Sequence, residues 1–252
     1  MTTVNDIYKY IDTFAPFDTA EEWDNVGILV GDGNSSVHRA LLALDITNEV
    51  LEEAERLSAQ LVISHHPIIF RPIKRLTALS PVYKAASLGI SCLCAHTNLD
   101  KSESHGVNTA LAAAAELSNF RKNDDGEILF LGETDKAVSA MELALRLKNN
   151  LNADGLVYTD VCSNICRVGL CSGGGGSEVY AAVKAGCNAF ITGEIKHHEL
   201  LFANESNMSV FVLGHFVSED VVIEPLRKLL ESEFPETEFF KSAVFNDGTK
   251  YI

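Results

Sequence analysis

The feature that most constrains this chain is an alternation of short apolar runs of strand length with segments of helical spacing. Residues 39–45 (RALLALD), 61–64 (LVIS) and 91–95 (SCLCA) read as buried strands. Strands apolar on both faces need cover on both faces, which is the pattern of a parallel-rich sheet clothed by helices. The intervening segments supply those helices. Val4, Ile7, Tyr8, Ile11 and Phe14 form one stripe, with Thr3 and Asp6 as a capping pair and Pro16 as the stop. Thr47 caps a second helix through Leu57, with Val50, Leu51, Ala54 and Leu57 on one face.

The second half repeats this order. Residues 166–171 (CRVGLC), 188–192 (NAFIT) and 209–213 (SVFVL) read as strands, and Ser177 opens a helix that ends at Gly186. In both halves the second strand runs into a histidine pair, ISHHP at 63–67 and ITGEIKHH at 191–198. The third strand also ends at a histidine in both, CAHTNLD at 94–100 and VLGHFVSE at 212–219. The reading is a weak internal duplication: two related α/β lobes with parallel-rich mixed sheets, facing each other. Residues 119–134 lie between them, and the charged turn Lys122–Gly126 marks the boundary, giving a first lobe over 1–120 and a second over 127–252. A helix from about Asp135 to Leu151 is expected to open the second lobe, and FNDGTKYI to close it as a turn and tail.

Composition narrows the function. Lys plus Arg number 20 against 35 Asp plus Glu, a formal charge of −15, which argues against binding duplex nucleic acid. An anionic small substrate stays open, because one buried cation can dominate a local field. No apolar stretch approaches the roughly 18 residues of a membrane span. The opening MTTVNDIYKYIDTFAP shows no basic region before an apolar run, so no signal peptide and a cytoplasmic location are expected. The six cysteines mostly sit in apolar runs and form no CxxC pair, which reads as reduced, buried thiols.

The residues able to carry chemistry gather at strand ends, where α/β sheets collect ligands. His65 and His66 precede Pro67; adjacent side chains diverge within a strand but can converge where the backbone turns. A metal would satisfy such a pair, and so would backbone carbonyls. CAHTNLD brings His96, Asn98 and Asp100 to the same edge, with Asp100 either a ligand or a turn cap. His215 and Glu219 have the H-x-x-x-E spacing that shares one helical face, suited to gripping one metal or to a solvated surface. Pro225 implies that the following helix bends or restarts. Three histidines and two carboxylates are one ligand too many for a tetrahedral zinc and suit two metals sharing a carboxylate. Imidazole with carboxylate favours iron, manganese, zinc or cobalt over magnesium or calcium.

EEWDNVGILVGD (21–32), ISHHPIIF (63–70), AHTNLD (95–100), TGEIKHHE (192–199) and GHFVSE (214–219) together resemble the Nif-three-like family, often labelled GTP cyclohydrolase I type 2 homologues. The resemblance runs in order over nearly the whole chain. It implies one unit over 1–252 of two related α/β lobes around a central metal-binding cleft, a dinuclear centre of iron, zinc or manganese, and in many members a toroidal homohexamer. The implied ligands are His65, His66, Asp100, His215 and Glu219, with Glu219 as the bridge. The leading function is then a dinuclear metal-dependent hydrolase in which a hydroxide shared by two metals attacks an electrophilic carbon or phosphorus. If the family label holds, that reaction opens the imidazole ring of GTP. The alternatives are a non-enzymatic metal-binding regulator or scaffold acting through partner contacts, and a DNA-associated ring, which the charge counts against. KSESHGVN after HTNLD, with His105, is more polar than in relatives.

Other residues carry weaker readings. Glu194, His197 and His198 occupy the duplicated position opposite His65 and His66, so Glu194, His197 and also His96 are candidate acids or bases. Residues 172–177 (SGGGGS) lie between a strand and a helix start, where amides of Gly174 and Gly175 could hold a phosphate or simply turn the chain. Trp23, in a loop with Asp24 and Asn25, could stack on a base or cover the core edge.

Overall fold

The computed structural model of the chain describes residues 1–124 and 128–250, and the chain divides into two compact units. The first is Met1–His105 with Ile223–Asp247; the second is Gly106–Val222 with, among the described residues, Gly248 to Lys250. In chain order the first unit contributes α1 (Val4–Phe14), β1 (Gly27–Val30), β2 (Arg39–Ala43), α2 (Asn48–Arg56) and β3 (Leu61–Ser64). It continues with α3 (Pro81–Leu88), β4 (Ser91–Cys94) and the short α4 (Thr97–Asp100). The second unit begins with α5 (Val107–Ala114), β5 (Ser118–Lys122), β6 (Phe130–Val138), α6 (Ala140–Asn150) and β7 (Val157–Tyr158). Then come β8 (Ile165–Cys171), α7 (Val179–Lys184), β9 (Ala189–Thr192), α8 (His197–Glu205), β10 (Ser209–Val212) and α9 (His215–Asp220). The chain returns to the first unit with α10 (Ile223–Glu233) and β11 (Glu238–Lys241).

The local signals are those of the sequence. The Asp6 amide donates to Thr3 Oγ1 at 3.2 Å and the Thr3 amide donates to Asp6 Oδ2 at 2.9 Å, a closed capping box on α1. The Val50 amide donates to Thr47 Oγ1 at 3.3 Å and opens α2. Strands β3, β4 and β9 are buried at every position, as interior parallel strands must be. No helix among the described residues is long and apolar enough to cross a membrane.

Both sheets are mixed, and their centres match. The first runs β1–β4–β3–β2–β11 and the second β5–β6–β8–β9–β10–β7. In each, three strands taken in sequence pair in parallel, and a preceding strand lies antiparallel on the last of them: β1 on β4, β7 on β10. The duplication therefore extends to strand order and direction. Each unit is completed by the helix and strands that follow the last parallel strand of the other half of the sequence. These are α10 and β11 in the first unit, and α5, β5 and β6 in the second.

That exchange moves the expected lobe boundaries. Instead of 1–120 and 127–252, the chain passes from one unit to the other after His105 and passes back at Ile223. Helical periodicity reveals which face of a helix is apolar, and says nothing of which sheet it will cover. The supposed connector 119–134 contains the paired strands β5 and β6, with Phe120 stacked on Phe130 at 4.9 Å. Residues 125 and 126 of the expected boundary turn, and 251 and 252 of the expected tail, lie outside the described residues. The helix expected from Asp135 starts at Ala140, because residues up to Val138 pair with β8 and Ser139 then forms a capping box with Glu142. Near Pro225 the helix restarts: α9 ends at Asp220 and α10 carries the proline in its first turn.

Candidate metal centre

In the first unit, four chemistry-bearing side chains meet beyond the carboxyl ends of β3 and β4. The chain leaves β3 at Ser64, whose Oγ donates to the His66 carbonyl at 2.7 Å, and the His66 amide donates to the Leu44 carbonyl at 2.9 Å. These bonds turn the backbone so that both rings lie on one side, with centroids 5.1 Å apart. The His96 ring stands 5.1 Å from that of His65 and 5.4 Å from that of His66. One ring nitrogen from each of His65, His66 and His96 lies within 4.8 Å of the others, a group able to hold a metal ion.

Oxygen atoms fix the ring orientations. His65 Nδ1 donates to the Ala95 carbonyl at 3.0 Å, since a carbonyl can only accept. His66 Nδ1 lies 3.0 Å from Asp45 Oδ1, and His96 Nδ1 lies 2.8 Å from Asp24 Oδ1. With Nδ1 bound to oxygen, Nε2 is the nitrogen left to ligate, the arrangement by which outer carboxylates and carbonyls orient metal-binding histidines. His65 Nε2 then faces Asp100 Oδ1 at 3.5 Å, acceptor towards acceptor, in a site that excludes most solvent. A cation or a second ring proton reconciles such a pair. Asp100 is held by the short α4, whose four residues are all buried. Asn98 Nδ2 donates to the Ala15 carbonyl at 2.7 Å and Ser102 Oγ to the Phe14 carbonyl at 2.6 Å, tying this turn to the end of α1.

Asp24, a residue with no role legible in the sequence, positions this group. Besides His96, it accepts the Thr97 amide at 3.1 Å, so it clamps the start of α4. Burial alone would push its pKa up, but the hydrogen bonds from His96 and Thr97 outweigh burial and bring the carboxyl down to about 2. The available signal was only its position beside Trp23 in a polar loop.

In the second unit, Gly214 adopts φ +85° after β10, and His215 begins α9 with Glu219 one turn later. His215 Nε2 is 3.0 Å from Glu219 Oε2, and His215 Nδ1 is 3.3 Å from Glu194 Oε1. Glu219 is buried; Glu194 is largely exposed. The glycine run after β8 touches this group through Gly173, a residue the sequence did not single out. Gly173 has φ +55°, and a β-carbon there would collide with Glu219 Oε1 and lie 3.2 Å from His215 Nε2. Its amide donates to Ser218 Oγ at 3.0 Å and its carbonyl accepts the Glu194 amide at 2.8 Å. Of the expected glycines, a β-carbon on Gly175 would collide with Cys171, whereas one on Gly174 would meet nothing within 4 Å. Gly174 lines a cavity of about 180 Å³ with Gly176, Ser177, Glu194, Lys196 and Glu199. His197 and His198 start α8 exposed to solvent, and neither joins a potential metal group among the described residues. His105 packs edge-on against Phe14 instead.

Thiolates are no competitors. None of the six cysteines forms a disulfide; burial pushes Cys92 up to about 12 and Cys94 well above the ordinary thiol range. Cys94 Sγ donates to the His65 carbonyl at 3.0 Å, supporting the backbone beneath the rings. The donor set is thus imidazole nitrogen with carboxylate oxygen, which fits a borderline divalent ion.

Comparisons with known proteins identify the family and the fold. Residues 2–248 match the family described as Duf34/NIF3 (NGG1p interacting factor 3). A Clostridium perfringens protein named GTP cyclohydrolase 1 type 2 homolog is 31% identical over 264 residues, covering 99% of each chain. A Campylobacter jejuni protein of the same name is 33% identical, covering 91% of this chain and 92% of its own. Among solved structures, a Staphylococcus aureus hypothetical protein has a TM-score of 0.92 at 28% identity over 99% of each chain. Reduced HcgD from Methanocaldococcus jannaschii has a TM-score of 0.82 at 26% identity, covering 95% of this chain and 97% of its own.

Proposed function

This chain belongs to the Duf34/NIF3 family, and from that premise we propose that it is a metal-dependent hydrolase of the GTP cyclohydrolase kind. In this reading the ligands of two divalent ions, iron, zinc or manganese, are His65, His66 and Asp100 in the first unit and His215 and Glu219 in the second. The observation that carries it is the shared orientation of four histidines. His65, His66, His96 and His215 each turn Nδ1 towards an oxygen, and in His65 and His215 the opposite nitrogen, Nε2, faces the buried carboxylates of Asp100 and Glu219. When bound, such a metal pair supplies an acidified water and a Lewis acid for developing negative charge.

The chain's own groups do the rest. Glu219, whose buried carboxylate already faces His215 Nε2, is the carboxylate best placed to serve two ions. Asp24 holds the His96 ring by Nδ1, so any proton that His96 moves passes through Nε2. Glu194, at the exposed edge beside His215, can exchange protons with bulk water. The substrate class carried by the relatives' name is a guanine nucleotide.

The test is metal analysis of protein purified without chelator, followed by turnover of GTP and generic phosphoesters. Two metal equivalents per chain and turnover lost on chelation support the reading; no metal and no turnover overturn it. Two bound metals without turnover of any substrate would support the non-enzymatic regulator instead. A homo-oligomer, a toroidal hexamer by family resemblance, is proposed with it, and a monomer mass in light scattering would remove that part. The free cysteines suit a reducing, cytoplasmic setting.

A further inference from the structure

The segment between Glu55 and Asp100 holds no aspartate or glutamate, although the chain carries 35 of them. It does hold Arg71, Lys74 and Arg75, all exposed and none ion-paired among the described residues. They lie on residues 65–80, a connection from β3 to α3 without regular secondary structure. Connections of that length are uncommon in compact domains unless they bind something.

This loop starts at the histidine group and passes an exposed aromatic pair. Trp23 is 60% exposed and Phe70 is 49% exposed, yet their rings meet edge to face at 5.9 Å. Both stand against His96, at 6.1 and 6.5 Å. Their placement is fixed from below: Asn25 Nδ2 donates to the Ile69 carbonyl at 2.6 Å, and neighbouring Asp24 holds His96 and Thr97. A large aromatic surface anchored in place and left to solvent is costly unless something covers it.

We infer that Trp23, Phe70 and the cations Arg71, Lys74 and Arg75 form the substrate-recognition face of the first unit. It takes a planar aromatic base on the ring pair and a polyanionic tail on the cations. Charge complementarity selects this occupant. In a chain of formal charge −15, three exposed cations within the five residues that follow Phe70 suit a free nucleoside polyphosphate. The inference rests on the nucleotide reading of the proposed function, and it specifies which residues confer it.

Trp23 is the only tryptophan in the chain, so its fluorescence reports on this face alone. GTP, guanosine and inorganic triphosphate are titrated into the full chain, with chelator and again with added manganese. GTP and guanosine should both quench Trp23, GTP more tightly at low salt, and triphosphate should displace GTP. Phe70→Ala, which keeps the reporter, should weaken GTP and guanosine alike by about ten-fold. The triple variant R71A/K74A/R75A should lower GTP affinity to that of guanosine and abolish the salt dependence. Circular dichroism confirms the fold of each. The inference is overturned if GTP gives no quenching in either condition, if neither variant alters GTP affinity, or if a single-stranded oligonucleotide binds more tightly than GTP. Quenching with the expected variant effects but no turnover would overturn the hydrolase reading and leave this one standing. Metal-dependent turnover with KM unchanged in both variants would do the reverse.

Discussion

Gly173→Ala isolates the contribution of one backbone position to the second half-site. Gly173 sits at φ +55°, where an alanine costs about 1–2 kcal/mol. In a chain of this length that lowers Tm by about 2–8 °C. This first loss is backbone strain and is the same with or without metal. The second loss is local: the new β-carbon occupies the position of Glu219 Oε1 and reaches within 3.2 Å of His215 Nε2, so the carboxylate must leave its place. Displacing a ligand by a neighbouring group costs about 10–100-fold in metal affinity. Gly174→Ala is the control, since Gly174 has φ −77° and its β-carbon would meet nothing within 4 Å. Thermal melts of chelated protein read the strain, and the added Tm on metal loading reads the binding. The expected result is a lower chelated Tm and a reduced metal increment for Gly173→Ala, with Gly174→Ala like wild type in both. If Gly173→Ala binds metal as tightly as Gly174→Ala, the placement of Glu219 against Gly173 does not govern the site.

Glu219→Gln keeps the size of the side chain but removes its charge and its second equivalent oxygen, so at least one metal should be lost while circular dichroism is unchanged. Two full equivalents in that variant would remove Glu219 from the bridging role. Asp24→Asn should destabilise the chain by about 2 kcal/mol at neutral pH, because the native carboxyl lies at about 2 against an ordinary 3.8. The sign follows from that depression: the stabilisation is complete above about pH 4 and is lost as pH falls towards 2, so the wild-type and variant melting curves should converge there. A gap that persists at pH 2 would assign the loss to packing rather than charge. Thiol titration of unfolded protein should count six free groups, with Cys166 alone reacting quickly in the folded chain; a count of four would require a disulfide.

What could be read from one sequence was what local chemistry dictates. The capping box at Thr3 and Asp6, the cap at Thr47 and the fully apolar runs of β3, β4 and β9 each carry their instruction within a few residues. The histidines were legible for the same reason, since a strand that ends in adjacent histidines announces a polar obligation at a known sheet edge. Elements defined by distant partners were not. Strand β11 is partly exposed and charged at both ends, and it exists because Glu238 to Lys241 pair with Arg39 to Leu42 of β2. Strand β5 is a similar edge segment, and α5 and α10 show an apolar face without saying which sheet it will meet. The same division runs through the site. His66 was visible, but the role of Asp24 depends on a contact with His96 across 72 residues. The glycine run declared a tight passage, but only the backbone angle and the position of Glu219 distinguish Gly173 from Gly174 beside it. The side chains that could touch a metal are chosen by chemistry that a sequence displays, whereas those that aim them are chosen by the fold. Substitutions at Asp24 and Gly173 therefore test the folded arrangement, and substitutions at His65 or Glu219 test the ligand chemistry.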